Sequence, residues 1–370
     1  QIADMVNWWL RSTATTDNTN VKQIKVIDLV GRSGYQTFAL AQPATGTGQL
    51  QEVSSIAGVN GHSLGGYLAT AFTRIFGSQK FGQNMFTCET TEGEILAVKP
   101  MNCPGHVQIF NHGQKSYRDL PLRMAEFGAC HRYEPSGALH GIMRVRGFVQ
   151  DDGHILCTDE QVGAEVATFC RMLTEVYADF GFSADKFTIK LATRPEKRIG
   201  DDATWDRTEK ALGDAVRAAG LDYTVSPGDG AFYGPKLEFT LVDAIGRGWQ
   251  CGTIQLDPNL PGKDRFDATY VAEDGSRKNC LMLHRATLGS LERFLGILIE
   301  HFEGKFPLWL APEQVRVIPI SDAQVPFARQ VKDKLFATGM RVTLDEQADS
   351  LGAKVRNARL ARVNYFAVIG

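Results

Sequence analysis

The chain lacks an apolar run long enough to cross a membrane: no stretch approaches the ~20 residues that a spanning helix requires, which excludes a helical anchor. It also lacks a charge excess of either sign. Forty Lys and Arg stand against 42 Asp and Glu, a formal net charge of −2, so no uniformly basic coat is present and any nucleic-acid contact must come from local patches. Cysteine is sparse: there are seven, an odd number, with no Cys-x-x-Cys pair. That usage argues against a disulfide framework and for a reducing compartment, so a cytoplasmic location is expected. Internal repeats and low-complexity tracts are missing. There is no charged-then-apolar leader at Gln1, and the missing initiator Met suggests that the numbering starts inside a longer chain. With 43% hydrophobic and 22% charged residues over 370 positions, the chain can bury sizeable cores and should hold two or three domains.

What is present concentrates between Met101 and Cys157. Two arginines (Arg132, Arg144), a glutamate (Glu134), a phenylalanine (Phe148), two carboxylates (Asp151, Asp152) and two soft or borderline metal donors (Cys103, His154) lie on or beside two strand-like apolar runs joined by a Gly/Pro/Ser loop. Such a hairpin can clamp a nucleotide, because arginine offers permanently charged, fork-shaped donors to phosphate and an aromatic face can stack on a base. The segment reads as an ATP site beside a metal. For Cys103, His154 and His284, spacing alone says nothing about a metal, since a lone buried Cys or His is usually packing. The ordinary fate of Arg132, Arg144 and Arg293 would be surface ion pairing.

The runs Lys99-Pro100-Met101-Asn102-Cys103-Pro104-Gly105-His106, Cys130-His131-Arg132-Tyr133-Glu134-Pro135-Ser136-Gly137 and Arg144-Val145-Arg146-Gly147-Phe148 resemble the class II catalytic core of threonyl-tRNA synthetases. Thr193-Arg194-Pro195-Glu196, Gly230-Ala231-Phe232-Tyr233-Gly234-Pro235-Lys236, Trp249-Gln250-Cys251-Gly252-Thr253-Ile254-Gln255-Leu256-Asp257 and His284-Arg285-Ala286 through Glu292-Arg293-Phe294 continue the resemblance in order, over about 81–370. It implies that Cys103, His154 and His284 bind zinc with one coordination place open, which the amino and hydroxyl groups of threonine fill. It further implies that Arg132 contacts the α-phosphate and polarises the reacting carboxylate, that Arg144 and Arg293 hold the outer phosphates, that Glu134 and Gln250 contact the nucleotide, and that Phe148 stacks on adenine. The same resemblance implies that Arg132 and Arg293 are the catalytic pair. Gln150, Asp152, Tyr233 and Gln255 match the threonine pocket, with Asp152 the anchor of the ammonium group, and Mg²⁺ is expected with ATP.

Upstream, Gly61-His62-Ser63-Leu64-Gly65 follows an apolar lead-in and precedes a run with helical spacing through Leu68, Ala71, Phe72 and Ile75. It resembles the nucleophile elbow of a lipase-like α/β-hydrolase, with Ser63 the nucleophile of a serine esterase. Every histidine after His62, however, lies in the synthetase-like part, so no triad partner can be assigned. Where the synthetase family carries its first class II motif, which builds the homodimer interface, this chain has the lipase-like segment. The family's ribose-activating histidine has no counterpart at Gly77-Ser78-Gln79.

The expected fold is α+β: a class II antiparallel-sheet catalytic core, then a truncated α/β anticodon-binding domain, with an α/β-hydrolase-like N-terminal fragment. Domains are expected at 1–77, 78–311 and 312–370, with Pro307 and Pro312 bracketing the second boundary. Thr158-x-x-Gln161 predicts a capping box for a helix burying Val162, Val166, Phe169, Leu173, Val176 and Tyr177, and a second helix should end near Gly220. Beyond residue 315, apolar strand runs alternate with helical runs as β-α-β-α-β, which implies parallel pairing. The basic run Lys354, Arg356, Arg359 and Arg362 reads as a solvated helical face that can also touch tRNA. The function these readings imply is a threonine–tRNA ligase with ATP, threonine and tRNA(Thr) as partners, no membrane, and impaired transfer to tRNA. The alternatives are an esterase using Ser63, or an inactive chimera that keeps zinc or nucleotide binding.

Overall fold

The computed structural model describes residues 85–370 apart from 90, 92 and 94, together with two short strands, β1 (Lys25–Val26) and β2 (Gln36–Thr37), which pair antiparallel. The lipase-like segment with Ser63, and the Gly77-Ser78-Gln79 position, lie outside the described residues. The described residues form two compact units. One runs up to residue 241 and includes 249–294, and the other comprises 242–248 and 295–370.

The larger unit opens with a two-stranded pair, β3 (Thr87–Glu89) and β4 (Ile95–Ala97), followed by helix α1 (Cys103–Asn111) and the short strand β5 (Lys115–Ser116). Then come β6 (Leu122–His131), β7 (Gly147–Cys157), α2 (Val162–Asp179), β8 (Phe187–Ala192), α3 (Asp202–Ala218), β9 (Thr224–Ser226), β10 (Lys236–Val242) and β11 (Gly248–Asp257). After β12 (Thr269–Val271) and β13 (Arg277–Asn279), strand β14 (Leu281–Ser290) leads straight into α4 (Leu291–His301), whose residues from 295 on belong to the other unit. Seven strands make the central sheet in the order β6-β7-β14-β11-β10-β8-β9. Pairing is antiparallel from β6 to β7, β7 to β14, β14 to β11 and β10 to β8, and β9 joins parallel beside β8.

The expected capping box is present. Thr158 and Gln161 satisfy each other's backbone N–H groups just before α2, and all six positions of the predicted stripe are buried. That stripe packs on the sheet so closely that a Cβ on Gly252 would stand 2.4 Å from Leu173 Cδ1, which is why the strand carries glycine there. Tyr177 accepts from Gly252 N at 2.9 Å and donates to Thr287 O at 3.0 Å, joining the helix to two sheet strands. Its ring belongs to a buried aromatic group with Phe187 and Phe294, and Phe294 also meets Phe180. Each such ring, fully buried, contributes about 1.5–3 kcal/mol relative to exposure. Helix α3 buries Leu212 and Val216 and is followed by Gly220 at φ +74°, as its C-terminal signal implies.

In the smaller unit, β15 (Val315–Pro319), α5 (Val325–Ala337), β16 (Val342–Leu344), α6 (Leu351–Leu360) and β17 (Tyr365–Ile369) build a parallel sheet in the order β16-β15-β17. This is the β-α-β-α-β expected. One reading is corrected: Lys354 does not belong to a solvated face. It is buried, with its ammonium 3.2 Å from Asp345 O and 3.4 Å from Pro319 O, whereas Arg356, Arg359 and Arg362 are exposed. Among the described residues no helix is long and apolar enough to cross a membrane.

Candidate active site

Strand alternation decides which side chains can meet. Residues paired across antiparallel strands share a face, and the registers Met124↔His154, Glu126↔Asp152, Gly128↔Gln150, His284↔His154 and Gln255↔His284 put all of these on the same side of the sheet. Phe148, Gln150, Asp152 and His154 are alternate residues of β7, so the residues read as nucleotide, threonine and metal contacts follow one another along one strand face. Asp151 points the other way. It accepts from the backbone N–H groups of Thr287, Leu288 and Gly289 at 2.8, 2.9 and 2.7 Å, pinning the bulge at which β14 slips register against β7 and turns into α4. Burial pushes the Asp151 carboxyl up to about 7, against the pull of those donors.

Helix α1 brings Cys103, the third candidate metal donor, over this face. Its buried positions Cys103, Pro104, His106, Val107 and Phe110 fall on one stripe, and Pro104 sits in the first turn, where no intrahelical amide donor is needed. Cys103, His154 and His284 are all buried, and one donor atom from each lies within 4.8 Å of the others. Nothing in their spacing announces this. His284 Nε2 meets Asp257 Oδ2 at 2.8 Å, which leaves Nδ1 as its remaining ring nitrogen. His154 Nδ1 meets His106 Nδ1 at 2.7 Å, while His154 Nε2 has no hydrogen-bond partner. Burial drives the His154 imidazole well below its ordinary value, with His106, His284 and Arg285 adding to the effect, so it is held neutral. Burial first, then Asp152 and Asp257, pushes the Cys103 thiol well above its usual range. A cation among these groups reverses that penalty, because a thiolate and neutral imidazoles are the forms it binds. One sulfur and two imidazoles, one of them with an orphaned buried nitrogen, form a donor set that a three-ligand zinc site could use.

The expected threonine pocket surrounds this cluster. Asp152 accepts from Asn102 Nδ2 at 3.0 Å, and its Oδ1 stands 3.8 Å from His154 Nε2. Asn102 lies flat across Gly128, where a Cβ would come within 2.2 Å of its amide, so only glycine lets it reach Asp152. Burial raises the Asp152 carboxyl, and the Asn102 hydrogen bond opposes the shift. Tyr233 donates to Gln255 Oε1 at 2.8 Å, and its ring centroid is 5.2 Å from that of His284. Gln150 is half-buried on the same face.

The residues read as nucleotide contacts form three local groups. The Arg132 guanidinium lies 5.2 Å from the centroid of the Phe148 ring, with Nε donating to Pro100 O at 3.0 Å. Arg144 donates to Glu134 Oε2 from Nε at 3.1 Å and from Nη2 at 2.8 Å. Arg293 donates to Met143 O at 2.8 Å and Gln250 O at 2.6 Å, and stacks on Trp249. The Gln250 side chain itself donates to Thr253 Oγ1 at 2.7 Å. Sequence reasoning held Asn102, His106, Trp249 and Asp257 in its motif runs without giving them a role, and did not single out Glu126. Two of these left a signal: His106 follows Cys103 by three residues in a helix, and Asp257 follows Gln255 by two in a strand, so each shares a face with a residue already singled out.

Comparison with known proteins finds relatives in sequence and in fold. The family described as "tRNA synthetase class II core domain (G, H, P, S and T)" matches residues 86–302, and "Anticodon binding domain" matches 314–370. A threonine–tRNA ligase of Paramagnetospirillum magneticum is 60% identical over 79% of this chain and 45% of its own length, and one of Treponema pallidum is 56% identical over 79% and 49%. The chain thus spans about half the length of the curated relatives it matches. The crystal structure of the RNA binding domain of threonyl-tRNA synthetase from Cryptosporidium parvum Iowa II superposes with a TM-score of 0.76 at 41% identity, covering 82% of this chain and 74% of that one.

Proposed function

The chain belongs to the class II tRNA synthetase family, with its core domain followed by an anticodon-binding domain, and on that premise we propose that it is a threonine–tRNA ligase. In the proposed reaction a threonine carboxylate oxygen attacks the α-phosphorus of ATP, supplied with Mg²⁺, and the bond to the bridging oxygen breaks to release pyrophosphate. A hydroxyl of the terminal tRNA ribose then attacks the adenylate carbonyl, and AMP leaves. The observation that carries the choice of threonine is the buried Cys103, His154 and His284 cluster beside Asp152. A zinc ion there would ligate the amino and hydroxyl groups of threonine, and a site built to ligate a hydroxyl rejects valine far beyond the ~10² that an apolar pocket achieves between such isosteres.

The chain's own residues would do the rest by position and charge. Asp152, fixed by Asn102, anchors the substrate ammonium, and Gln255 and Tyr233, bonded to each other, with Gln150, line the pocket. Arg132 stabilises charge that grows on the α-phosphoryl oxygens, and Arg144 and Arg293 hold the outer phosphates. Arg293 is already braced by two backbone carbonyls, so little rearrangement is needed. Glu134 and Gln250 contact the nucleotide, and Phe148 offers one ring face to adenine. In the smaller unit, an open cavity of about 300 Å³ beside the end of β16, lined by Arg316, Thr343, Asp345, Glu346, Gln347 and Asn357, offers polar groups to an anticodon base. The proposed domain limits are 78–311 and 312–370, and the proposed location is cytoplasmic, in keeping with seven free thiols. The test is pyrophosphate exchange with threonine, serine and valine compared: threonine-dependent exchange with serine weaker and valine silent is expected, and equal exchange with valine would remove the threonine assignment.

A further inference from the structure

We infer that His106 is a positioning residue for the metal cluster, holding His154 in the one tautomer and ring orientation that present Nε2 to Cys103 and His284. The inference rests on the metal reading above and goes beyond the three donors themselves. His106 is buried on the same stripe of α1 as Cys103, its ring centroid is 4.8 Å from that of His154, and the two Nδ1 atoms are 2.7 Å apart. On its other side, His106 Nε2 stands 3.4 Å from Glu126 Oε1, and Glu126 Oε2 stands 3.7 Å from Lys99 Nζ.

Counting hydrogens along this row leaves one arrangement. A metal-bound Nε2 needs its lone pair, so neutral His154 carries its hydrogen on Nδ1. That hydrogen can only be donated to His106 Nδ1, which therefore accepts. His106 then carries its own hydrogen on Nε2, directed at the Glu126 carboxylate, whose charge Lys99 balances. His284 follows the simpler version of the rule, with Nε2–H donated to Asp257 and Nδ1 left for the metal. The two imidazole ligands would thus use different ring nitrogens because different partners sit behind them. The reverse tautomer of His154 would put a hydrogen on Nε2, where no acceptor closes a hydrogen bond, and would leave two lone pairs facing each other across 2.7 Å or force His106 to turn its only hydrogen away from Glu126.

The test uses the full chain in three forms, wild type, His106→Leu and His106→Asn, and titrates zinc against a competing chelator. Loss of an outer-shell partner typically costs 10–100-fold in metal affinity. The leucine variant is expected to bind zinc 10–100-fold more weakly, and the asparagine variant, whose side-chain oxygen can accept from His154 Nδ1, to recover most of that loss. Unchanged affinity in a folded leucine variant overturns the inference, as does equal weakening in both variants, since a merely structural role would not be rescued by an acceptor. A second measurement needs no variant. Long-range proton–nitrogen correlation of the histidine rings in the zinc-loaded wild type should show His154 protonated at Nδ1 and His106 at Nε2, and the opposite assignment for His154 refutes the proposal even if the leucine variant fails to fold. A wild-type chain that binds no zinc defeats the metal reading itself and this inference with it.

Discussion

Cys103 is the residue on which the metal reading turns. It is the single sulfur donor of the cluster, and burial disfavours its thiolate unless a cation is present. Cys103→Ser is expected to lower zinc from about one per chain to near none, measured by elemental analysis of the folded protein; a variant that keeps its zinc would speak against the site. Arg132 makes a separate claim. Removing a group that stabilises charge in the transition state commonly lowers the rate ~10²-fold or more, so Arg132→Ala should reduce threonine-dependent exchange at least that far while zinc content stays unchanged. His106 adds a pH dependence. Burial holds it at about 4 against an ordinary 6.5, so its contribution to stability is complete above 6.5 and is lost as the pH falls toward 4, when the unfolded chain takes up the proton first. The loss over that window is about 3 kcal/mol. Urea midpoints should therefore fall between pH 7 and 5 in the wild type and fall less in His106→Asn; parallel curves would show that His106 is not the group responsible. The adjacent carboxylates illustrate how much a sequence conveys at this scale. Asp151 and Asp152 look equivalent as a pair, yet strand alternation permits only one of them on any face, and the register gives Asp152 to the pocket and Asp151 to the bulge.

At the scale of elements, the contact between the start of α1 and the middle of β6 is the joint that sets the pocket. Asn102 crosses Gly128 to reach Asp152, and a methyl group at 128 would overlap the Asn102 amide at 2.2 Å. Gly128→Ala should destabilise the fold by about 1–3 kcal/mol, as overpacking does. Its more telling effect should be a raised KM for threonine with the KM for ATP little changed, because Asp152 loses its orienting partner. An increase in both constants together would place the damage elsewhere. The elements themselves were largely legible. The capping box at Thr158, the apolar stripe of α2, the C-terminal glycine after α3 and the alternating runs of the smaller unit each follow from local rules that need no knowledge of distant residues. Lys354 was misread for the opposite reason: a helical face of basic residues looks solvated until another part of the chain covers it, and here the carbonyls of Pro319 and Asp345 reach over the ammonium.

At the scale of the whole molecule, the prediction concerns which chemistry the chain performs. Ser63→Ala should leave threonine-dependent exchange unchanged and ester hydrolysis at background in both forms. Hydrolysis of a short acyl ester that vanishes in that variant would restore the esterase reading. The sequence by itself determined the family, the order of its motifs, the two kinds of sheet and the residue types that can meet phosphate, adenine and metal, because these depend on short-range pattern and on runs of residues kept in order. Only the tertiary structure decided that Cys103 on a helix and His154 and His284 on two paired strands stand within 4.8 Å, that Asp257 and His106 stand behind the two imidazoles, and that His154 Nε2 is left without a hydrogen-bond partner. The physical reason is that strand register and helix docking are settled by the burial of many side chains at once, and a cluster whose members lie far apart in the chain exists only after that burial has fixed where each strand sits.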